Sequence, residues 1–276
     1  APATQPTTYD VVADQAAATV IRGYSTSFGW ATRLLREPVR TRIRAVYALV
    51  RLADEIVDDP APVPTATRAV QLAALERDVA DALADGQSTN LVVHAFARTA
   101  LTTGITADLV DPFFASMRAD LTPRRHDAES LQEYVHGSAE VVGLMCLRVF
   151  CAGRPDAAAR YDELAPAARR LGAALQKVNF LRDLAADHGT LGRAYLPGVD
   201  PAGFTDAQRD ALLDDIDADL AAAVPAITRL PRDARAGVRA VHGLFAALSA
   251  RLRRTPAARI ATRRVRVPGL VKARIL

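Results

Sequence analysis

Two pairs of aspartates are the residues in this chain best spaced to do chemistry together. The first lies in Arg51-Leu-Ala-Asp54-Glu55-Ile-Val-Asp58, the second in Gln176-Lys-Val-Asn179-Phe-Leu-Arg182-Asp183-Leu-Ala-Ala-Asp187. Residues four apart share one face of a helix, so each segment projects two carboxylates side by side. Like charges at that spacing repel, and a cation between them is expected. Carboxylates, amide oxygens and water suit Mg²⁺, with Mn²⁺ as a possible substitute, and Mg²⁺ takes substrate phosphates as further ligands. The neighbouring arginines cannot ligate a metal, but a planar guanidinium matches a pair of phosphate oxygens or fixes a carboxylate. The combination points to a diphosphate held through Mg²⁺ between facing helices.

The elements that must position these groups read as helices. Apolar periodicity predicts them near 9–22, 25–35, 38–58, 66–85, 89–103, 106–119, 128–151, 165–188, 205–223 and 232–254, with breaks at Pro60–Pro64, Asp85-Gly86, Thr122-Pro123, Gly153–Pro155 and Gly192–Gly203. Pro166 suits the first turn of the helix carrying the second pair. On that helix Gln176, Asn179, Asp183 and Asp187 form a polar stripe, while Leu171, Ala174, Val178, Phe180 and Leu181 occupy the other faces. On the first helix Tyr47, Arg51, Asp54 and Asp58 make the matching stripe. A polar stripe on a helix packed around most of its circumference must face partners or a cavity. No strand alternation, internal repeat or long polar linker interrupts the pattern, so the expected class is all-α in one domain, 1–276.

Composition narrows the function classes. Half of the 276 residues are apolar and 24% charged, as in an ordinary globular protein. No apolar run reaches the length of a bilayer span and no signal peptide is visible, so a cytoplasmic location is expected. Cys146 and Cys151 are badly spaced for a disulfide and read as small buried side chains in a reducing compartment. The net charge of +4 is uneven: nine basic residues and no acid lie in 251–276. The remainder then carries 35 − 9 = 26 basic against 31 acidic residues. That basic C-terminal segment reads as a solvated tail or helix, with peripheral attraction to anionic lipid at the inner membrane surface as the alternative. Nucleic acid is not expected, because aromatic residues are scarce there. A nucleotide-binding glycine loop, a zinc-spaced histidine pair and a nucleophile elbow are all missing from the sequence.

Four blocks together resemble the squalene/phytoene synthase family. They are Tyr24-Ser-Thr-Ser27-Phe28 followed by Ala31-Thr-Arg-Leu-Leu; Tyr47 through Asp58; Tyr134-Val-His-Gly-Ser-Ala-Glu-Val-Val142-Gly143-Leu-Met145; and Gln176 through Asp187, continuing to Gly192-Arg193-Ala-Tyr195-Leu-Pro197. The wording is most similar to phytoene synthases of high-GC Gram-positive (actinobacterial) organisms. The resemblance implies an all-helical bundle of the isoprenoid synthase type with a central apolar cavity, Mg²⁺ dependence and allylic prenyl diphosphate substrates. It implies that Asp54, Asp58, Asn179, Asp183 and Asp187 hold metal, and that Arg51, Gln176, Asn179 and Arg182 position diphosphate and metal-bound water. Tyr24, Ser25, Ser27 and Phe28 would belong to a flap over the diphosphate. Tyr134 would face the reacting carbons, and Arg193 and Tyr195 would lie in a closing loop.

The implied activity is a prenyltransferase reaction, the head-to-head condensation of two geranylgeranyl diphosphates to phytoene in carotenoid biosynthesis, without NADPH. An apolar lining must keep water from the allylic cation, and Phe28, Val142, Leu144, Met145 and Phe180 are candidates, with plain core as the competing reading for each. Three positions depart from the family pattern: Thr26 where a Lys or Arg is common, Ala186 where Glu is common, and Glu140 where Gly is common. Thr26 and Ala186 would fit a second reading, a phytoene-synthase-like enzyme that attaches a short prenyl group such as dimethylallyl to an aromatic acceptor. A third reading is a non-catalytic binding or assembly protein on the same fold, although all four aspartates are retained. Oligomeric state is not readable from the sequence.

Overall fold

In a computed structural model of the chain the described residues are 5–59, 61–122, 125–189, 194–269 and 275, without the side chains of 26, 27 and 186–189. They form helices α1 (Thr8–Tyr24), α2 (Thr26–Arg33), α3 (Val39–Asp58), α4 (Thr65–Asp85), α5 (Leu91–Thr103), α6 (Ala107–Ala119), α7 (Ala128–Val135), α8 (Val141–Cys151), α9 (Ala157–Gly189), α10 (Asp206–Arg229), α11 (Arg232–Arg253) and α12 (Ala257–Ile260). A π turn, His136–Glu140, joins α7 to α8 without a break. Among the described residues the sole extended pairing is an isolated bridge between Arg125 and Ala194. The all-α expectation holds.

Local chemistry explains most of the ends. The Thr7 and Thr205 side chains accept from backbone N–H groups of the first turns of α1 and α10 in capping boxes. Asn90 caps α5 through the amides of Val92 and Val93. α4 and α5 stop at Gly86 and Gly104, whose φ values of 78° and 76° lie in the left-handed region that glycine enters without a Cβ penalty.

Two expected boundaries are corrected. The helix predicted from 165 begins at Ala157, so Pro166 lies inside it. Pro166 is exposed, which lets water satisfy the carbonyl that lost its amide partner, while Tyr161 and Leu164 on the preceding turn are buried in the core. Likewise α10 passes through Pro225 to Arg229, held by buried Ile227. The run expected at 128–151 is helical throughout but contains the π turn, where the backbone comes very close to α6. A Cβ on Gly137 would meet the Pro112 carbonyl oxygen and the Ser116 Oγ, each at 2.2 Å.

The helices that carry the site are fixed by close contact. A Cβ on Gly143 of α8 would stand 2.7 Å from the Ala168 carbonyl oxygen of α9, and one on Gly172 would stand 2.6 Å from that of Ala139. The two backbones therefore touch, and any larger residue would push them apart. α9 is tied to α10 by Lys177, which reaches Asp215 at 2.6 Å and Asp219 at 3.1 Å, and by Arg170, which reaches Asp219 at 2.7 Å. α3 is backed by α1 and α5 through a patch of buried alanines, Ala13, Ala17, Ala45, Ala48 and Ala95. Cys146 and Cys151 are free thiols, and burial pushes the Cys146 thiol up to about 12. Among the described residues one helical run, Ala128–Cys151, has the length and apolarity of a membrane span, and its window is 56% buried inside the bundle.

Candidate active site

A cavity of about 1040 Å³ runs between α3, α8, α9 and α11. It slightly exceeds the roughly 300–1,000 Å³ usual for a pocket that takes one small ligand. One end is polar. Tyr47, Arg51, Asp54 and Asp58 of α3 and Gln176, Asn179, Arg182 and Asp183 of α9 line it together. The first stripe read from helical spacing, and Gln176, Asn179 and Asp183 of the second, thus face the same space. The lining continues down α3 to Ile43 and down α9 to Leu164. At a rise of about 1.5 Å per residue those stretches, from Asp58 and from Asp183, are about 22 Å and about 28 Å long. The far end is apolar, formed by Leu35, Ile43, Phe150, Leu164, Ile227 and Leu230.

Charges at the polar mouth are arranged unequally. Arg51 donates to Glu55 one turn on and lies 4.4 Å from the Tyr24 ring centre. Burial pulls the Arg51 guanidinium pKa down, but Glu55 and Asp54 outweigh it and the net shift is upward, so the cation is secure. On α9 the Arg182 guanidinium donates to both oxygens of Asp183, at 3.0 and 2.5 Å. Arg264 adds a second guanidinium, its Nε 2.8 Å from Asp183. Asn179 presents a buried Oδ1 with no hydrogen-bond partner among the described residues. An acceptor in that state, beside Asp183 and across from Asp54 and Asp58, fits a divalent cation with water and phosphate as its other ligands.

Ser25 caps α2 by accepting from the Phe28 amide at 3.0 Å, and this places Phe28 in the cavity lining. The Phe28 ring packs 6.1 Å from Tyr47 and 6.0 Å from Phe245. Tyr24 and Ser25 line the same mouth. The side chains of Thr26, Ser27, Ala186 and Asp187, and all of Arg193, lie outside the described residues. Among the expected apolar liners Phe28, Val142 and Phe180 face the cavity, whereas Leu144 and Met145 point into the core with 2% and 1% exposure. Those two therefore follow the plain-core reading, because the π turn rotates α8 so that Val142, Gly143 and Cys146 face inward. Glu140 pairs with His136 at 3.0 Å and is not part of the lining.

In the cavity wall the expected Tyr134 and Tyr195 meet an acid that sequence reading missed. Asp120 is buried and accepts from two tyrosine hydroxyls, Tyr134 at 2.5 Å and Tyr195 at 2.8 Å. Tyr195 stacks on Phe180 at 4.4 Å and on His126 at 5.7 Å. Burial, then the adjacent Asp120 charge, pushes the Tyr134 hydroxyl well above its ordinary value, so it stays protonated as a donor. Next to it Ser138 turns a buried Oγ without a partner among the described residues toward the cavity wall. A faint signal for Asp120 did exist. It is an acid at the C-terminal end of α6, where the helix dipole disfavours negative charge, and such an acid needs a partner elsewhere. Arg264 offered no comparable signal. The segment read as a basic tail instead brings Arg264, Val265, Arg266 and Val267 into the cavity lining.

Comparison with known proteins shows the family and the fold. A family model described as squalene/phytoene synthase matches residues 21–270. A phytoene synthase of Mycobacterium tuberculosis is 31% identical over 277 aligned positions, covering 93% of this chain and 86% of its own. Among solved structures, a dehydrosqualene synthase in complex with a ligand superposes with a TM-score of 0.79 at 19% identity, over 96% of this chain and 94% of its own. A squalene synthase from Alicyclobacillus acidocaldarius gives 0.76 at 20% identity, over 90% of this chain and 96% of its own. At these identities the structural likeness speaks for the fold.

Proposed function

The chain belongs to the squalene/phytoene synthase family and is a prenyltransferase, and from that premise we infer that it condenses two geranylgeranyl diphosphates head to head to phytoene. The observation that carries the reading is the facing of Asp54 and Asp58 by Asp183 and the unpartnered Asn179 Oδ1 at the polar mouth of a long apolar cavity. The mycobacterial relative, named a phytoene synthase and similar along nearly its whole length, supports the choice of product.

Asp54, Asp58, Asn179, Asp183 and Asp187 would hold a divalent cation, Mg²⁺ or Mn²⁺, which supplies Lewis-acid charge at the leaving diphosphate. Arg51 and Arg182 place guanidinium charge where the C–O bond of the allylic diphosphate breaks, and Gln176 orients the departing group. The cation left behind meets ring faces at Phe28, Tyr134, Phe180 and Tyr195, whose quadrupoles favour positive charge. The apolar walls keep out water, which would trap the cation as an alcohol. The double bond of the second prenyl chain attacks it, forming a cyclopropyl intermediate with loss of one proton and one diphosphate. Ionisation of the remaining diphosphate, rearrangement and loss of a second proton complete the C40 hydrocarbon. A cavity of this size, apolar for most of its length, accommodates long chains.

The test is incubation of the purified protein with Mg²⁺ and geranylgeranyl diphosphate in detergent or lipid, followed by chromatography and mass spectrometry. A C40 hydrocarbon is expected. Absence of any C40 product, with prenylation of an aromatic acceptor instead, would replace this reading.

A further inference from the structure

The end of the bundle remote from the aspartates has a composition that the reaction does not use. Three connections meet there, α2–α3, α8–α9 and α10–α11. The Arg36 amide donates to the Asp233 carbonyl at 3.0 Å, Arg154 donates to both Asp233 carboxylate oxygens at 2.9 and 2.7 Å, and Arg160 donates to the Arg229 carbonyl at 3.0 Å. Residues 33–40, 152–160 and 229–235 contain eight arginines and three acids, a balance of 8 − 3 = +5. Each of the three acids is already engaged by an arginine of the same group: Glu37 by Arg40, Asp156 by Arg160 and Asp233 by Arg154. Arg40 and Arg235 also cap the Leu35 and Leu230 carbonyls. Arg229 in turn pairs with Glu163, just outside these turns, and with that acid counted the balance is 8 − 4 = +4. Helix capping and that pair account for Arg40, Arg235 and Arg229 and leave the remaining excess charge unexplained.

Two further observations give the charge a partner. Arg154, Arg160, Arg229, Arg232 and Arg235 line a surface recess of about 260 Å³, room for a phosphate headgroup. On the flank, α2 exposes Trp30 by 53% and the turn after it exposes Leu34 by 37%, and the Arg33 guanidinium lies 5.4 Å over the indole. Tryptophan beside arginine suits the boundary between headgroups and acyl chains, where the ring is half buried and the charge meets phosphate. We propose that this end of the bundle is the face on which the protein lies against a bilayer rich in anionic phospholipid, with headgroup phosphates in the arginine recess and Trp30 and Leu34 in the interfacial layer. The C-terminal segment, by contrast, is drawn to the opposite end by the Arg264–Asp183 pair.

The location has a use. Leu230 lines both the recess and the apolar end of the cavity, and Leu35 of the neighbouring turn lines that same end. A long hydrocarbon formed inside would leave through this thin wall directly into acyl chains. That exit rests on the reaction proposed above; the docking face does not.

Trp30 is the sole tryptophan, so its emission reports on this face alone. The full chain is titrated with vesicles of phosphatidylglycerol and phosphatidylcholine in equal parts, and with phosphatidylcholine alone. Anionic vesicles are expected to shift Trp30 emission to the blue and brominated acyl chains to quench it, with no change on the neutral vesicles. Arg36→Glu with Arg232→Glu, its fold checked by circular dichroism, is expected to weaken vesicle binding about tenfold or more, since each reversal opposes the surface charge. Arg254→Glu with Arg259→Glu, in the basic C-terminal segment, is expected to leave binding within about twofold of the parent. The proposal is overturned if the protein floats with anionic vesicles while Trp30 stays unquenched, if the C-terminal pair abolishes binding and the other pair does not, or if the protein ignores anionic vesicles. Tighter binding to a duplex DNA probe than to the vesicles would equally overturn it. None of these readouts depends on turnover.

Discussion

The two walls that face each other across the cavity mouth are built by different means. On α3 the arginine charge is taken up by a neighbour in sequence, Glu55, and the helix seats on α1 and α5 through alanines. On α9 the carboxylate itself is gripped, by Arg182 next to it and by Arg264 from the C-terminal segment, and the helix seats on α8 through glycine-to-backbone contact. At the first wall the Arg51 charge is thus met by a residue one turn away and by the Tyr24 ring. The second depends on groups far away in the chain, and a cation that approaches it must compete with guanidinium.

Four measurements would break or sharpen that contrast. If both walls hold the metal, Asp54→Asn and Asp183→Asn each lower kcat/KM by about a thousandfold, the loss of several kcal/mol of charge stabilisation. Turnover of geranylgeranyl diphosphate measures it, and near-normal activity in either variant would reduce the site to one wall. Next in size is Gly172→Ala, whose added carbon must displace the Ala139 carbonyl. Overpacking of this kind costs about 1–3 kcal/mol, seen as a lowered thermal midpoint of roughly 2–4 °C for each kcal/mol. An unchanged midpoint would mean that α9 is not set by backbone contact.

A smaller effect separates the charges. Arg264→Gln removes one competitor from Asp183 and is expected to tighten Mn²⁺ binding, followed by electron paramagnetic resonance without substrate, about fivefold, roughly 1 kcal/mol. Glu55→Gln, on the other wall, should not tighten it. The smallest effect concerns the scaffold behind α3. The hydrogen bond from His94 holds the Asp10 carboxyl down at about 2, against an ordinary 3.8. A depressed carboxyl stabilises the fold above about pH 4, and that contribution fades as pH falls from about 4 to about 2. Asp10→Asn should make the urea midpoint less sensitive to pH in that interval, and hydrogen exchange should show α1 and α5 loosening before α9.

Helical periodicity was enough to find both aspartate stripes, because each one is written within a single helix and 3.6 residues per turn fixes which side chains align. What it could not show were the contacts made between helices. Asp120 meets tyrosines 14 and 75 positions away, and Arg264 meets Asp183 across most of α10, α11 and α12. The basic C-terminal segment, expected to be a solvated tail or helix with lipid attraction as the alternative, instead brings Arg264 through Val267 into the cavity lining. A second concentration of arginine is split among three turns, none of them notable alone, and forms only when the bundle closes. Pro166 and Pro225 misplaced helix ends for a similar reason, since packing of the flanking apolar residues outweighs one lost hydrogen bond.

Asp120 works as a shared datum for parts of the molecule that would otherwise be surveyed independently. Its two oxygens fix the heights of Tyr134, at the end of α7, and Tyr195, beyond the second aspartate helix, from a single point. The His126 amide, bonded to the Ala194 carbonyl at 3.1 Å, fixes the same two chain segments a second time. An error in that mark would tilt the ring wall and the mouth together, so their alignment tolerates drift of the whole but not of either part.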